Sequence, residues 1–163
     1  MGLDVTAYPR CRLLEATEGY GGQHHDRPNT VHIYTPGKNY LLRLDGQAPG
    51  YYTYRGDTFH FRAGSYTAYN EWREWLARRI FNTSTEVIWQ QRERFAGQPF
   101  IALIDFPDNE GALGPETCAA LVRDFADHEH ILDGLLEIST IAGYQNWWTA
   151  FATAAHRGFV RLH

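Results

Sequence analysis

Apolar and polar positions alternate along the first part of the chain and shift to helical spacing further on, so the sequence reads as strands first and helices after. LDVTAY (3–8) and CRLLE (11–15) are predicted as short strands, parted at Pro9-Arg10 because proline offers a sheet ladder no N–H. EGYGGQHHDRPNT (18–30) reads as loop, rich in glycine and polar residues. TVHIYT (30–35) and YLLRL (40–44) are two further predicted strands. YYTYR-GD-TFHFR then reads as a hairpin turning on Gly56-Asp57. In that register Tyr52 opposes Phe61 and Tyr54 opposes Phe59 on one aromatic face, with Thr53, Arg55, His60 and Arg62 on the other.

Helical spacing starts at Ser65, a predicted N-cap, and Tyr69, Trp72, Leu76 and Ile80 extend it over 66–80. A second, more polar helix is expected over 84–95. FIALIDF (100–106) is a near-continuous apolar run, expected as a central strand covered on both faces. Pro115 opens another helix, with Cys118, Leu121, Val122 and Phe125 forming its apolar stripe. A last helix, 143–157, carries Trp147, Phe151, Ala154 and Ala155, stops at Gly158 and leads into a terminal strand, FVRLH. The prediction is one α+β domain over 1–163, an antiparallel or mixed sheet with about three helices packed against it.

Composition narrows the partners. The 163 residues hold five Trp, ten Tyr and nine Phe, more ring surface than a core needs, so some rings should reach solvent. A formal charge of −4 argues against direct binding to duplex DNA, which needs clustered Lys and Arg. The charge is uneven: between 101 and 140, Asp105, Asp108, Glu110, Glu116, Asp124, Asp127, Glu129, Asp133 and Glu137 face only Arg123. Such an acidic face suits a protein partner, although solvated helix faces carry the same pattern. Cys11 and Cys118 make no disulfide framework and point to reduced, cytosolic thiols. The opening has no apolar signal core, and no run reaches the roughly 20 apolar residues of a membrane helix, so the expectation is a soluble protein.

Catalytic patterns are sparse. His24-His25-Asp26 and His128-Glu129-His130 lack zinc-ligand spacing, so no metal or cofactor is expected. AGSYT lacks the second glycine of a nucleophile elbow, while GYGG and TPGK lack Walker spacing. Around the strand-to-helix junction, packing and capping leave over Arg62, Tyr66, Asn70 and Arg73. The last three share one helical stripe. Two guanidiniums, an amide and a phenol fit a carboxylate, a phosphate, or the acidic loop of Asp108 and Glu110; the loop would make them an internal clamp. Asp108 and Glu110 also read as plain turn chemistry in D-N-E-G.

MGLDVTAY, FRAGSYTAYNEWREWLA, FPDNEGALGPETCAALVRDFA and the helix-then-strand ending resemble a group of small uncharacterised phage and prophage proteins that share an F-R-A-G-S-Y-x-x-Y-N-x-W-R core. The resemblance covers most of the chain except 16–40 and 82–98 and carries no catalytic residue. It implies a phage-type accessory gene, whose small acidic products often bind and disable host machinery. The expectation is therefore a non-enzymatic protein of the bacterial host cytoplasm that binds, and inhibits, a host protein or ribonucleoprotein complex such as a CRISPR effector. It would use exposed aromatics and the acidic 105–137 face, including Asp124, Asp127 and Asp133. The alternative is a small-molecule or nucleotide-binding protein or enzyme with a pocket around Arg62, Tyr66, Asn70, Arg73, Asp108 and Glu110. A third reading, a virion or assembly component, would be marked by a large apolar patch and a symmetric oligomer.

Overall fold

Strand β1 (Gly2–Tyr8) buries Leu3, Val5 and Ala7 on one face and turns Asp4, Thr6 and Tyr8 to the other, as its alternation requires. The computed structural model describes residues 2–14, 27–132 and 141–163, apart from the side chains of 141–143. Most of the predicted 18–30 loop, with His24, His25 and Asp26, lies outside the described residues, as do Asp133 and Glu137. The architecture is α+β, with two antiparallel sheets among the described residues. In the larger sheet β1 sits between β5 (Phe59–Ser65) and β7 (Phe159–Leu162), and β6 (Gly111–Leu113) flanks β7. The smaller sheet has the order β2 (Arg12–Leu13), β4 (Gly50–Thr53), β3 (Thr30–Ile33).

Helix α1 (Tyr66–Phe81) begins where the Ser65 hydroxyl accepts the Ala68 N–H at 3.1 Å and ends at Asn82, whose left-handed φ of 52° stops it. Two short helices follow, α2 (Thr85–Gln90) and α3 (Arg92–Phe95), then a single turn, α4 (Ile101–Ile104). Helix α5 (Pro115–Asp127) is capped from outside: Asp45 accepts both the N–H and the hydroxyl of Thr117, at 2.9 and 2.7 Å. The chain closes through α6 (Glu129–Leu132), α7 (Ile141–Ala154) and β7.

The main core lies between the larger sheet and α1, α4, α5 and α7. At its centre Trp147 stacks on Trp72 at 5.3 Å and meets Phe61 edge-on at 5.1 Å. The sheet's other face sends Phe159 and Ala112 into a smaller core with Val31, Ile33, Leu44 and Tyr52, where Tyr52 meets Phe159 at 4.8 Å. Each large side chain so buried stabilises the fold by about 1.5–3 kcal/mol. The two-sided sheet depends on Gly158 between α7 and β7, since a Cβ there would run into the Tyr8 carbonyl.

Several elements differ from the sequence reading. FIALIDF is helical at 101–104, not a strand: a short run that is apolar at almost every position carries no period to tell the two apart. YLLRL lies in a 3-10 helix, Lys38–Leu44, that leaves Leu42 in solvent. Tyr52 and Phe61 do not face each other in a hairpin; β4 pairs with β2 and β3, and β5 with β1. Beyond β4, the Tyr54 and Arg55 N–H groups donate to Asn29 and Pro9, and Gly56, at φ 100°, lets the chain cross to the other sheet. The predicted 84–95 helix breaks at Gln91, and β6 is a three-residue strand inside a stretch read as loop.

Candidate functional site

A groove of about 290 Å³ opens where five segments converge. Asn70 and Arg73 come from α1, Trp89 from α2, Arg92 from α3, and Asp105 to Asp108 from the chain after α4; Tyr40 of the 3-10 helix lines it as well. Arg73 organises the floor and is 4% exposed. Its Nη1 donates to the carbonyls of Ile104 (3.3 Å) and Phe106, and its Nη2 donates to Asn70 Oδ1. Asn70 Nδ2 in turn donates to Asp108 Oδ2 at 2.8 Å, which stands 4.0 Å from Arg73 Nη2. The guanidinium lies over the Tyr69 ring at 4.6 Å and the Trp89 ring at 5.5 Å. Trp89 Nε1 also donates to Ile104 O, at 3.2 Å. A one-turn helix cannot satisfy its own final carbonyls, and Arg73 and Trp89 do so for α4.

Beside this clamp Asp105 meets Arg92 at 3.0 Å and Arg43 at 4.0 Å. Burial pushes its carboxyl above the usual carboxylate range, and Arg92, Arg43 and Arg73 pull the other way. The groove thus gathers fixed charges of both signs beneath the accessible faces of Trp89 and Arg92.

Of the residues singled out in the sequence, Asn70, Arg73 and Asp108 come together here, and the others lie elsewhere. Tyr66 packs against the main core. Arg62 is on the reverse face of the larger sheet, 3.9 Å from Asp4. Glu110 accepts the Tyr34 hydroxyl at 3.0 Å. Asp124 accepts the Phe100 N–H at 2.9 Å, joining α5 to the start of α4, and burial raises its carboxyl pKa. Asp127 is exposed, as are Glu116 and Glu129. Asp133 lies outside the described residues. Four of the nine acids, Asp105, Asp108, Glu110 and Asp124, therefore have partners within the fold.

Sequence reasoning missed Tyr40, Trp89, Arg92 and Asp105 in the groove, and a polar cluster on the reverse sheet face. There the Thr6 hydroxyl sits 3.1 Å from His60 Nδ1 and 3.0 Å from His163 Nε2. The register carried part of the signal: Thr6 and His60 face each other across β1 and β5. Burial, with Arg161 and His60 nearby, holds the His163 imidazole below its usual pKa, and Asp4 opposes the shift.

A scan against protein-family models, a search of curated proteins and a search of solved structures each find no match. The chemistry of the groove stands on its geometry. Among the described residues, no three His, Cys, Asp or Glu side chains cluster as metal ligands would. Cys118 is fully buried, and burial drives its thiol well above the ordinary range, so it stays protonated. No helix among the described residues is long and apolar enough to cross a membrane.

Proposed function

We propose that the protein is a non-catalytic binding factor of phage-accessory type. It would act in the bacterial host cytoplasm by docking on, and inhibiting, a host or defence complex, with the groove at the centre of the interface. One observation carries this reading: Trp89, Tyr40 and Arg92, residue types that dominate binding hot spots, line a groove whose floor Arg73 already holds rigid. Trp89 is 39% exposed, and Leu42, on the same 3-10 helix as Tyr40, is 84% exposed. Large side chains on a fixed backbone dock at low ordering cost. The exposed acids Glu116, Asp127 and Glu129 add steering toward a basic partner.

The alternative, a small-molecule or nucleotide pocket, draws on the concavity of the groove and on Arg73 Nε, buried with no hydrogen-bond partner among the described residues. Of its six residues, the groove retains Asn70, Arg73 and Asp108.

The test passes purified defence complexes, CRISPR effectors among them, over immobilised wild type, Trp89→Ala and Leu42→Asp. Wild type is expected to retain one complex and block its activity, with each variant about tenfold weaker. Leu42→Asp should do so at unchanged melting temperature, while Trp89→Ala also gives up its bond to the Ile104 carbonyl and is compared at a temperature where it is folded. Equal retention by all three would remove the groove from the interface. A small molecule released on denaturing the purified protein would favour the pocket.

A further inference from the structure

Away from the groove, Arg10, Arg12, Arg55 and Arg157 converge on a second cleft of about 420 Å³, which they line with Cys11, Thr53 and His156. The four arginines come from the β1–β2 corner, the chain just beyond β4, and the turn after α7. The chain as a whole is acidic, with 15 Lys and Arg against 19 Asp and Glu, yet no acidic residue among those described lines this cleft. Among the described residues, none of the four guanidiniums meets a carboxylate or lies over an aromatic ring.

Like charges so gathered repel, and main-chain bonds hold the segments together despite that. The Cys11 N–H donates to the Arg157 carbonyl at 2.7 Å, and the Arg55 N–H to the Pro9 carbonyl at 3.3 Å. The Thr53 hydroxyl donates to the Arg12 carbonyl at 3.5 Å. Arg10 and Arg157 both adopt left-handed backbone, at φ 48° and 60°, a region that non-glycine residues seldom occupy. A cation at the C-terminal end of α7 also suits the helix dipole, which accounts for Arg157. It does not account for Arg10 and Arg12, at the β1–β2 corner, or Arg55, just beyond β4.

We propose that this cleft is an anion site for a ligand carrying two or more linked phosphates, such as inorganic pyrophosphate or the polyphosphate tail of a nucleotide. Several forked guanidiniums match several phosphate oxygens, whereas a single carboxylate would leave most of them unpaired. Among the described residues no Phe, Tyr or Trp lines the cleft, and His156 is its one ring beside four guanidiniums, so the site is built for phosphate ahead of a base. The site binds and does not cleave. Burial pushes the Cys11 thiol up to about 12, and that thiol points to the Tyr8 and Pro9 carbonyls, so it supplies no thiolate to attack phosphorus.

Calorimetry and thermal melting of the full chain test this, with inorganic pyrophosphate, inorganic triphosphate and ATP as probes against sodium chloride at matched ionic strength. Pyrophosphate is expected to bind one-to-one and raise the melting temperature beyond the chloride control. Affinity should fall about tenfold in Arg12→Ala and again in Arg55→Ala. Arg12→Lys and Arg55→Lys, which keep the charge and lose the fork, should fall between. They also serve as folded controls if an alanine variant melts early. ATP is expected to match inorganic triphosphate. Absence of saturable pyrophosphate binding at about 1 mM to folded wild type would overturn the proposal. Undiminished binding by the folded Arg12→Lys/Arg55→Lys double variant would overturn it too, as would ATP binding far more tightly than triphosphate.

Discussion

Asp124 and Asp127 stand three positions apart on α5 and play opposite parts. Asp127 is solvated, whereas Asp124 accepts the Phe100 N–H and is held half out of water. Asp124→Ala should therefore destabilise the fold by about 1–3 kcal/mol, measured by urea denaturation, because it strands a buried donor. Asp124→Asn keeps an acceptor oxygen and should cost far less. The raised carboxyl pKa gives a sign: the folded state favours the protonated form, so the ionised group is a liability that eases as pH falls through the folded value. Wild type should accordingly gain on Asp124→Asn as the pH drops from about 7 toward 4. His163 runs the other way. Its depressed pKa contributes stability above the unfolded value near 6.5, and that contribution is lost as pH falls from there through the folded value. Melting temperatures of His163→Asn should thus decline less than those of wild type between about pH 7 and 5.

At the scale of elements, α4 is the piece that others complete, since the carbonyls at its end are bonded by Arg73 and Trp89. Arg73→Lys keeps the charge but cannot reach Ile104, Phe106 and Asn70 in one plane. It should cost about 3 kcal/mol in urea unfolding, far beyond the usual toll of an Arg-to-Lys exchange at the surface. Elements whose signals are local were legible in the sequence: Ser65 capping α1, Pro115 opening α5 and the alternation of β1. The last helix, read as 143–157, spans Ile141–Ala154 instead, and the left-handed residue beyond it is Arg157, not Gly158. Elements defined by distant partners were not. FIALIDF has no period because it is apolar at almost every position, and the segment from Tyr51 to Arg62 looked like a hairpin because nothing local says that its two halves pair elsewhere. The site divides the same way. Asn70 and Arg73 share a helical stripe, and Asp108 was the acidic loop that could meet them. Trp89, Arg92 and Asp105 arrive from three separate segments.

Across the whole molecule, the groove and the arginine cleft draw on different elements and share no residue. Their energetics should be additive. Trp89→Ala should leave pyrophosphate affinity unchanged in calorimetry, and Arg12→Ala should leave retention of the partner complex unchanged on the immobilised protein. The cleft lay beyond sequence reading altogether, because its arginines span positions 10 to 157 and only the finished topology brings them together. That topology also imposes an order in time. β1 is flanked by β5 and by β7, so on the ribosome β1 waits, one edge bare, until β7 has been made about 150 residues later. A premature stop codon upstream of Phe159 would leave that edge permanently unpaired, open to the matching strand of a neighbouring nascent chain.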